Sequence, residues 1–307
     1  MEFIYDILGI PFGYVLRFIY ELTGNYVAAL ILFTLVCRIF MLPSSISQQK
    51  GAAKTQRMQS KMRKIRERYA GDQKKIQEET QALYSREGYN PMNAGCVPLL
   101  IQMPIIIGLV AVIYKPLTYA LQIPEDVVTT LIEGLKKIDV TYTSRTAELV
   151  VIEHFKSLSG LVAEKYANQI RNFDFTFFGL PLGQTPSYTN PSVLWTVPIL
   201  SGLSSLASSI YMNINQKRNN PEMGKNPATG CMTIFMPLLS LFFTFQFPIG
   251  IGIYWIASNV FAFIQQVILG FTHNPRKMVA RLMVEETIQR RSKENNRKLV
   301  IQKQRDS

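Results

Sequence analysis

An apolar run from Tyr26 to Pro43, YVAALILFTLVCRIFMLP, contains a single charge, Arg38, and no other Asp, Glu, Lys or Arg occurs between Asn25 and Gln49. Such a run reads as a membrane-spanning helix, since about 20 residues at 1.5 Å rise cross the hydrocarbon core. An arginine near the centre of such a helix costs roughly 2.5–3.5 kcal/mol on insertion scales. Its side chain therefore has two outlets. It faces protein or trapped water, or it snorkels past Pro43 to the cytoplasmic headgroups.

The rest of the composition fits a membrane protein with basic loops: 48% of the 307 residues are hydrophobic and only 18% charged, yet the net charge is +12. Cys37, Cys96 and Cys231 lie in apolar runs without a CxxC pair, and His154 and His273 are far apart in sequence. The cysteines read as buried thiols, and no disulfide, metal or cofactor is expected. Glu2 and Asp6 are the first charges, the opposite of a cleavable signal, and no cysteine precedes Cys37 to accept a lipid. Apolar residues at 3, 4, 7, 8, 12, 15, 16, 19 and 22 follow helical spacing, interrupted at Gly9, Pro11 and Gly13. Residues 1–24 are expected to lie in the interface as an amphipathic segment; a short first span is the alternative, disfavoured by Asp6, Arg17 and Glu21.

After the first span (25–43) the composition changes sharply. Residues 44–92 hold 11 Lys and Arg against five acids. Met58, Met62, Ile65 and Tyr69 share a helical face, Gly71-Asp72 supplies a turn and an N-cap, and Gly88 a C-cap. Residues 44–93 thus form a basic helical hairpin, either a plain solvated coiled coil or a contact surface. A second span covers 94–115. The connection 116–190 is hydrophilic, with short helices at Val127–Lys137 and Ala147–Lys165, and FDFTFFGLPLG (173–183) is aromatic enough for an interface. A third span (191–213) carries Ser201, Ser204, Ser205, Ser208 and Ser209. A short loop (214–229) leads to 43 uncharged residues, Gly230–Thr272. They divide at Phe247-Pro248-Ile249-Gly250 into spans 230–247 and 249–271, and a basic tail, 272–307, follows. With the N-terminus outside, the hairpin, short loop and tail carry 24 of the 33 Lys and Arg. The positive-inside bias therefore gives five spans, N-out and C-in.

Apart from Arg38 and Lys115, the last residue of the second span, the spans lack the Asp, Glu, Lys and His of proton-coupled transporters, and paired Asp, Ser-Lys and HExxH motifs are missing. One positive charge with amides and hydroxyls suits a wet cavity for an anionic guest rather than a catalytic site; no enzyme is expected. A small-solute transporter or channel would need coupling groups or inverted repeats. A structural anchor that recruits ribosomes by its basic tail would leave Arg38 without a purpose.

Three separated motifs, CRIFMLP with a following QQK, YSREGYNPMNAGCVPLLIQMPI, and FPIGIGIYWIASNVFAFIQQVIL, resemble the YidC-type membrane protein insertase family, which has mitochondrial and chloroplast relatives. The resemblance covers about 25–115 and 191–271. Arg38 matches the family's groove arginine. Pro43, Asn90, Pro91, Cys96, Pro98, Gln102 and Pro104 match the hairpin exit and second span, and Pro248, Gly250, Tyr254, Trp255, Asn259 and Gln266 the fifth.

The resemblance implies an all-α polytopic membrane protein: five transmembrane helices around a hydrophilic groove open to cytoplasm and lipid, with a cytoplasmic helical hairpin. The groove would hold Arg38, Gln102, Ser204, Ser208, Trp255 and Asn259. The implied function is insertion of nascent membrane proteins without nucleotide hydrolysis, in a bacterial cell membrane. The ribosome, the Sec translocon and anionic lipids are the implied partners, and DNA is not. The third span departs from the pattern, with serines where many members carry an amide. The outside loop is longer than in minimal members, and no large extracytoplasmic domain is expected near the N-terminus.

Overall fold

The computed structural model of the chain describes residues 2–87, 97–219, 227–272 and 275–305. These are almost wholly helical and divide into two units, Met1–Met41 with Leu99–Ile264, and Leu42–Pro98 with Gln265–Ser307.

In the first unit, α1 (Glu2–Thr23) is a single helix with Pro11 inside it, so the expected interruption is not there. Its glycines serve packing instead. A Cβ on Gly13 would run into the backbone and side chain of Tyr119, and one on Gly9 would press on the Tyr119 ring. The three charges that disfavour α1 as a span all find partners. The Tyr119 hydroxyl donates to Asp6 at 2.5 Å, and Arg17 donates to Gln122 at 2.6 Å and to Glu21 at 2.8 Å. Leu16 and Ile19 are buried, while Ile7, Ile10, Tyr14, Phe18 and Leu22 form an exposed apolar stripe at helical spacing.

Gly24 (φ +65°) ends α1, and the Asn25 side chain accepts from the Ala28 amide at 3.0 Å to open α2 (Tyr26–Phe40). Helix α5 (Val97–Tyr114) holds Pro104 within it. Leu16, Tyr26, Leu30, Leu109, Ile113 and Ile249 build the unit's main core. The remaining long helices are α11 (Thr196–Asn219), α12 (Pro227–Gln246) and α13 (Ile249–Thr272). Among the described residues, Val193–Asn215 and Ile249–Thr272 are long and apolar enough to cross a membrane. Tyr26–Phe40 with Leu42–Gln49 makes a third if taken as one broken span, and Gln102–Tyr114 and Thr233–Gln246 are shorter apolar helices. Their outward residues, such as Leu200, Leu203, Phe235, Leu238 and Val260, are large, apolar and exposed, as lipid contact requires.

The hydrophilic connection after α5 is a small folded body with its own core. It contains α6 (Pro116–Tyr119), α7 (Glu125–Lys137), α8 (Ala147–Glu153), α9 (Phe155–Leu158), α10 (Glu164–Arg171) and a hairpin of β1 (Thr176–Phe177) and β2 (Leu180–Pro181). The expected helix over 147–165 is broken at His154 and again by a 3-10 turn at Ser159–Leu161. The breaks turn Val151, Phe155 and Leu158 onto Leu117, Leu131 and Leu135. The aromatic stretch 173–183 is only partly at the surface. Phe173 and Phe175 are buried, their rings 5.2 and 5.1 Å from that of Tyr26. Beyond them, the amides of Ile249 and Gly250 donate to the carbonyls of Gln184 (2.9 Å) and Leu182 (3.0 Å). These bonds satisfy two of the orphan donors at the start of α13. Gly250 eases that approach, because a Cβ there would sit 3.3 Å from the Leu182 carbonyl oxygen, a tight contact.

The second unit holds α3 (Leu42–Arg68), α4 (Gln73–Glu87) and α14 (Pro275–Arg305), with α14 packed on α3. Helix α3 starts at Leu42, two residues before the hairpin boundary that composition suggests, since Pro43 is tolerated in a first turn. The turn is as expected: Gly71 has φ +97° and Asp72 accepts from the Lys75 amide at 3.0 Å. Met58 is buried, Tyr84 donates to the Met62 sulfur, and Lys61 pairs with Glu87 at 2.5 Å. The tail expected over 272–307 is a 31-residue helix through Arg305. Gly88, Asn90, Pro91, Cys96 and His273 lie outside the described residues, as do the side chains of Pro98 and Cys231.

Glu148 links α8 to α6 and is 4% exposed. Its carboxylate accepts from the Thr118 amide at 3.0 Å and the Thr118 hydroxyl at 2.6 Å, in place of a cap that α6 lacks. Burial pushes this carboxyl above the usual range, against the pull of the Thr118 bonds and the Lys115 charge. A folded-state value above the unfolded one adds stability below the unfolded pKa, which is lost as pH rises through the folded value. The melting temperature of wild type minus that of Glu148→Gln, measured in detergent, should therefore fall as pH rises from about 4 to 8. A difference that grows with pH would show that the ionised form is the one the site stabilises.

Candidate functional site

Polar side chains in apolar helices must find one another, and here they gather in two clusters that share α13. Tyr254 and Ser258 stand four residues apart on one helix face, and Trp255 and Asn259 on the adjacent one. On the first face, Arg38, in the last turn of α2, donates through Nη2 to the Ser258 carbonyl at 3.0 Å and also to the Ser258 hydroxyl. Gln102 of α5 donates to the Tyr254 hydroxyl at 2.7 Å. Tyr254 is 2% exposed and close enough to Arg38 for the two to interact electrostatically. Among the described residues no carboxylate pairs with Arg38. Its hydrogen-bond partners are a carbonyl and a hydroxyl, so its charge is solvated by dipoles rather than neutralised.

The second cluster joins α13 to α11 and α12. Asn259 Nδ2 donates to the Ser204 hydroxyl at 3.1 Å and, at a long 3.5 Å, to the Ser201 carbonyl. Ser208 donates back to the Asn259 carbonyl at 3.3 Å. Deeper in, Ser201 shares a hydrogen bond with Ser240 at 2.9 Å. Thr244 donates to Ser201 at 3.1 Å and to the Ser240 carbonyl at 2.7 Å. Ser201 and Thr244 are fully buried, and a Cβ on Gly202 would lie 3.2 Å from Leu241, so α11 and α12 meet closely.

Arg38 and Gln102 thus share one cluster, and Ser204, Ser208 and Asn259 the other. Trp255 joins neither, its ring lying 5.8 Å from Phe247 and 6.3 Å from Phe243. Sequence reasoning did not single out Ser258, Ser240 or Thr244. The available signal was spacing: Tyr254/Ser258 and Ser240/Thr244 are each i, i+4 polar pairs in an uncharged run.

The sequence model of the family described as 60Kd inner membrane protein matches residues 18–276. Membrane protein insertase MisCA of Bacillus subtilis is 27% identical over 264 residues, 84% of this chain and 76% of the relative. Membrane protein insertase YidC 2 of Listeria innocua is 26% identical over 272 residues, covering 87% and 71%. Membrane protein insertase YidC of Granulibacter bethesdensis is 29% identical over 276 residues, covering 89% of this chain but 39% of that protein.

Interhelical hydrogen bonds in membranes average about 0.6 kcal/mol and reach about 1.7. Asn259→Ala should therefore lower the unfolding free energy in mixed micelles by about 1 kcal/mol. A cycle with Ser204→Ala should be non-additive, while Trp255→Phe should be additive with both.

Proposed function

The chain belongs to the 60Kd inner membrane protein family, the YidC-type membrane protein insertases, and on that footing we propose that it receives nascent hydrophobic proteins in a cytoplasm-open polar groove and releases their spans into the bilayer. Five spans (25–43, 94–115, 191–213, 230–247 and 249–271) cross the cell membrane, N-terminus outside and C-terminus inside. Arg38, Gln102, Ser204, Ser208 and Asn259 line the groove, with Trp255 at its aromatic margin. The observation that carries this reading is Arg38, a cation inside an apolar bundle that is held by dipoles and, among the described residues, meets no counter-charge.

The physics follows from that charge. A short acidic tail of a substrate meets a low-dielectric slab, and Arg38 offers an attraction of about 4 kcal/mol at 4 Å and an effective dielectric of 20. The tail enters a polar recess that shortens its path. The substrate's apolar span then leaves between the third and fifth helices, driven by about 0.3–0.6 kcal/mol for each strong hydrophobe. No nucleotide is required. The basic hairpin and tail attract anionic lipid headgroups and ribosomal RNA by salt-sensitive charge, and the Sec translocon is a further partner.

Two experiments test this. Cysteines at Ser157 and Gly160 should react with an impermeant thiol reagent from outside intact cells, and cysteines at Lys75 and Asn295 should not; labelling at 75 from outside overturns the topology. In proteoliposomes inserting a single-span substrate with an acidic tail, Arg38→Lys should retain much activity, Arg38→Ala lose most of it, and Arg38→Glu be worst. Neutralising the acids of the substrate tail should shrink the gap between wild type and Arg38→Ala. Equal losses for acidic and neutral tails would mean that Arg38 hydrates or shapes the cavity instead.

A further inference from the structure

Phe178 is 92% exposed, more than any other large apolar side chain among the described residues. It sits at the tip of the β1–β2 hairpin, where the pairings Thr176↔Pro181 and Phe177↔Leu180 leave a two-residue loop, Phe178-Gly179. Both loop residues have positive φ, +48° and +81°, the signature of a type I′ turn. The first position of that turn favours Asn, Asp or Gly, and a bulky aromatic there is strained. Turn chemistry thus argues against phenylalanine, and water argues against it again. The side chain has to gain something from outside the protein.

Its position says what. The strand leading to the tip follows Phe173 and Phe175, which pack on Tyr26, the first residue of α2. Phe173 also meets Tyr20, in the last turn of α1, at 5.6 Å. The hairpin therefore springs from the junction where α1 ends and the first apolar helix begins. The next most exposed phenylalanines, Phe40 and Phe271, stand at the opposite, C-terminal ends of apolar helices, α2 and α13. Aromatic side chains at helix ends belong to the bilayer interface.

We propose that the β1–β2 hairpin is a membrane finger: Phe178, backed by Phe177 at 4.5 Å, inserts into the outer-leaflet interface and moors the folded body of residues 116–184 to the lipid around the first span. The occupant is phospholipid, because the hairpin is anchored at the N-terminal end of an apolar span, where the bilayer interface lies, and β1 packs on that same helix, α2. This proposal rests on the N-out topology proposed above.

The test uses the full chain in phosphatidylcholine–phosphatidylglycerol vesicles. The added emission of Phe178→Trp, over the wild-type background of Trp195 and Trp255, should be blue-shifted, protected from acrylamide and quenched by lipids brominated near the headgroup. Ser157→Trp, on the same body, should be open to acrylamide and indifferent to bromine. Emission of the 178 probe that is red-shifted and open to acrylamide puts the tip in water and overturns the proposal. Protection from both quenchers means that protein covers it, and overturns it equally. Phe178→Asn suits the turn better, so its melting temperature in detergent should match or exceed wild type. In vesicles, this variant should nevertheless lose protease protection of the 116–184 body. Unchanged protection would again count against the finger. Labelling of Ser157→Cys from outside separates these outcomes from a failure of the topology itself.

Discussion

A guanidinium set among apolar helices has to be given dipoles, and the way α2, α5 and α13 meet follows from that demand. Arg38 sits in the last turn of α2, and its partners come from α13: the carbonyl and hydroxyl of Ser258, with Tyr254 one turn earlier. Gln102 then ties Tyr254 to α5. Three helices that share no charge pair are thereby tied through one cation. A carboxylate in place of Ser258 would bind Arg38 more tightly and leave nothing for a guest. Hydroxyls and carbonyls solvate the charge without cancelling it, so its field remains available to an anion that enters.

For Ser258 to reach Arg38, α13 must be held at the right height, and the restraint lies at the helix's other end. Ser258 is nine residues from Ile249, about 14 Å along the axis at 1.5 Å per residue. Ile249 and Gly250 are pinned by backbone bonds to Gln184 and Leu182. That segment follows the β1–β2 hairpin, and Phe173 and Phe175 before it are locked onto Tyr26. The folded body between the second and third apolar runs is therefore more than a connection. It sets the register of α13 against α2, the two helices that hold the arginine and its partners. Its own rigidity comes from a separate apolar core around Leu117, Leu131, Leu135 and Leu158.

What was legible in the sequence were anomalies against a uniform background. Arg38 and Gln102 stand out because almost nothing else in their runs is polar, and the serines of α11 because they recur with helical spacing. The 116–190 body was hard to see for the opposite reason. Its apolar residues are sparse, spread over helices of 4–13 residues, and no window carries a clear period. The aromatic run reads by composition as an interface, but its burial alternates: Phe173 and Phe175 in, Thr176 and Phe178 out. In α1, Gly9, Pro11 and Gly13 look like a break by local propensity, and tertiary contact decides otherwise: the helix needs flat positions against Tyr119. The pairing of Asn259 with Ser204 and Ser208, across more than 50 positions of sequence, follows from no local rule.

Within the second cluster the two helix seams differ in how easily they part, and under the proposed function that difference bears on how a span could leave. Between α11 and α12 the contact is close, with Gly202 against Leu241 and the bonded Ser201 and Thr244 fully buried. Between α11 and α13 the hydrogen bonds among the described residues are the Asn259 contacts with Ser201, Ser204 and Ser208, all neutral and 3.1 Å or longer. At about 0.6 kcal/mol apiece, three such bonds amount to about 2 kcal/mol. A substrate span of about 20 residues gains several times that on entering lipid, at 0.3–0.6 kcal/mol for each strong hydrophobe. Under the insertase reading, the substrate's own hydrophobicity outweighs these three bonds of the α11–α13 seam. Under that same reading the α11–α12 seam, with Gly202 against Leu241 and its buried hydroxyls, costs more to open and stays shut, so the span leaves between α11 and α13, whose hydrogen bonds are on the whole longer.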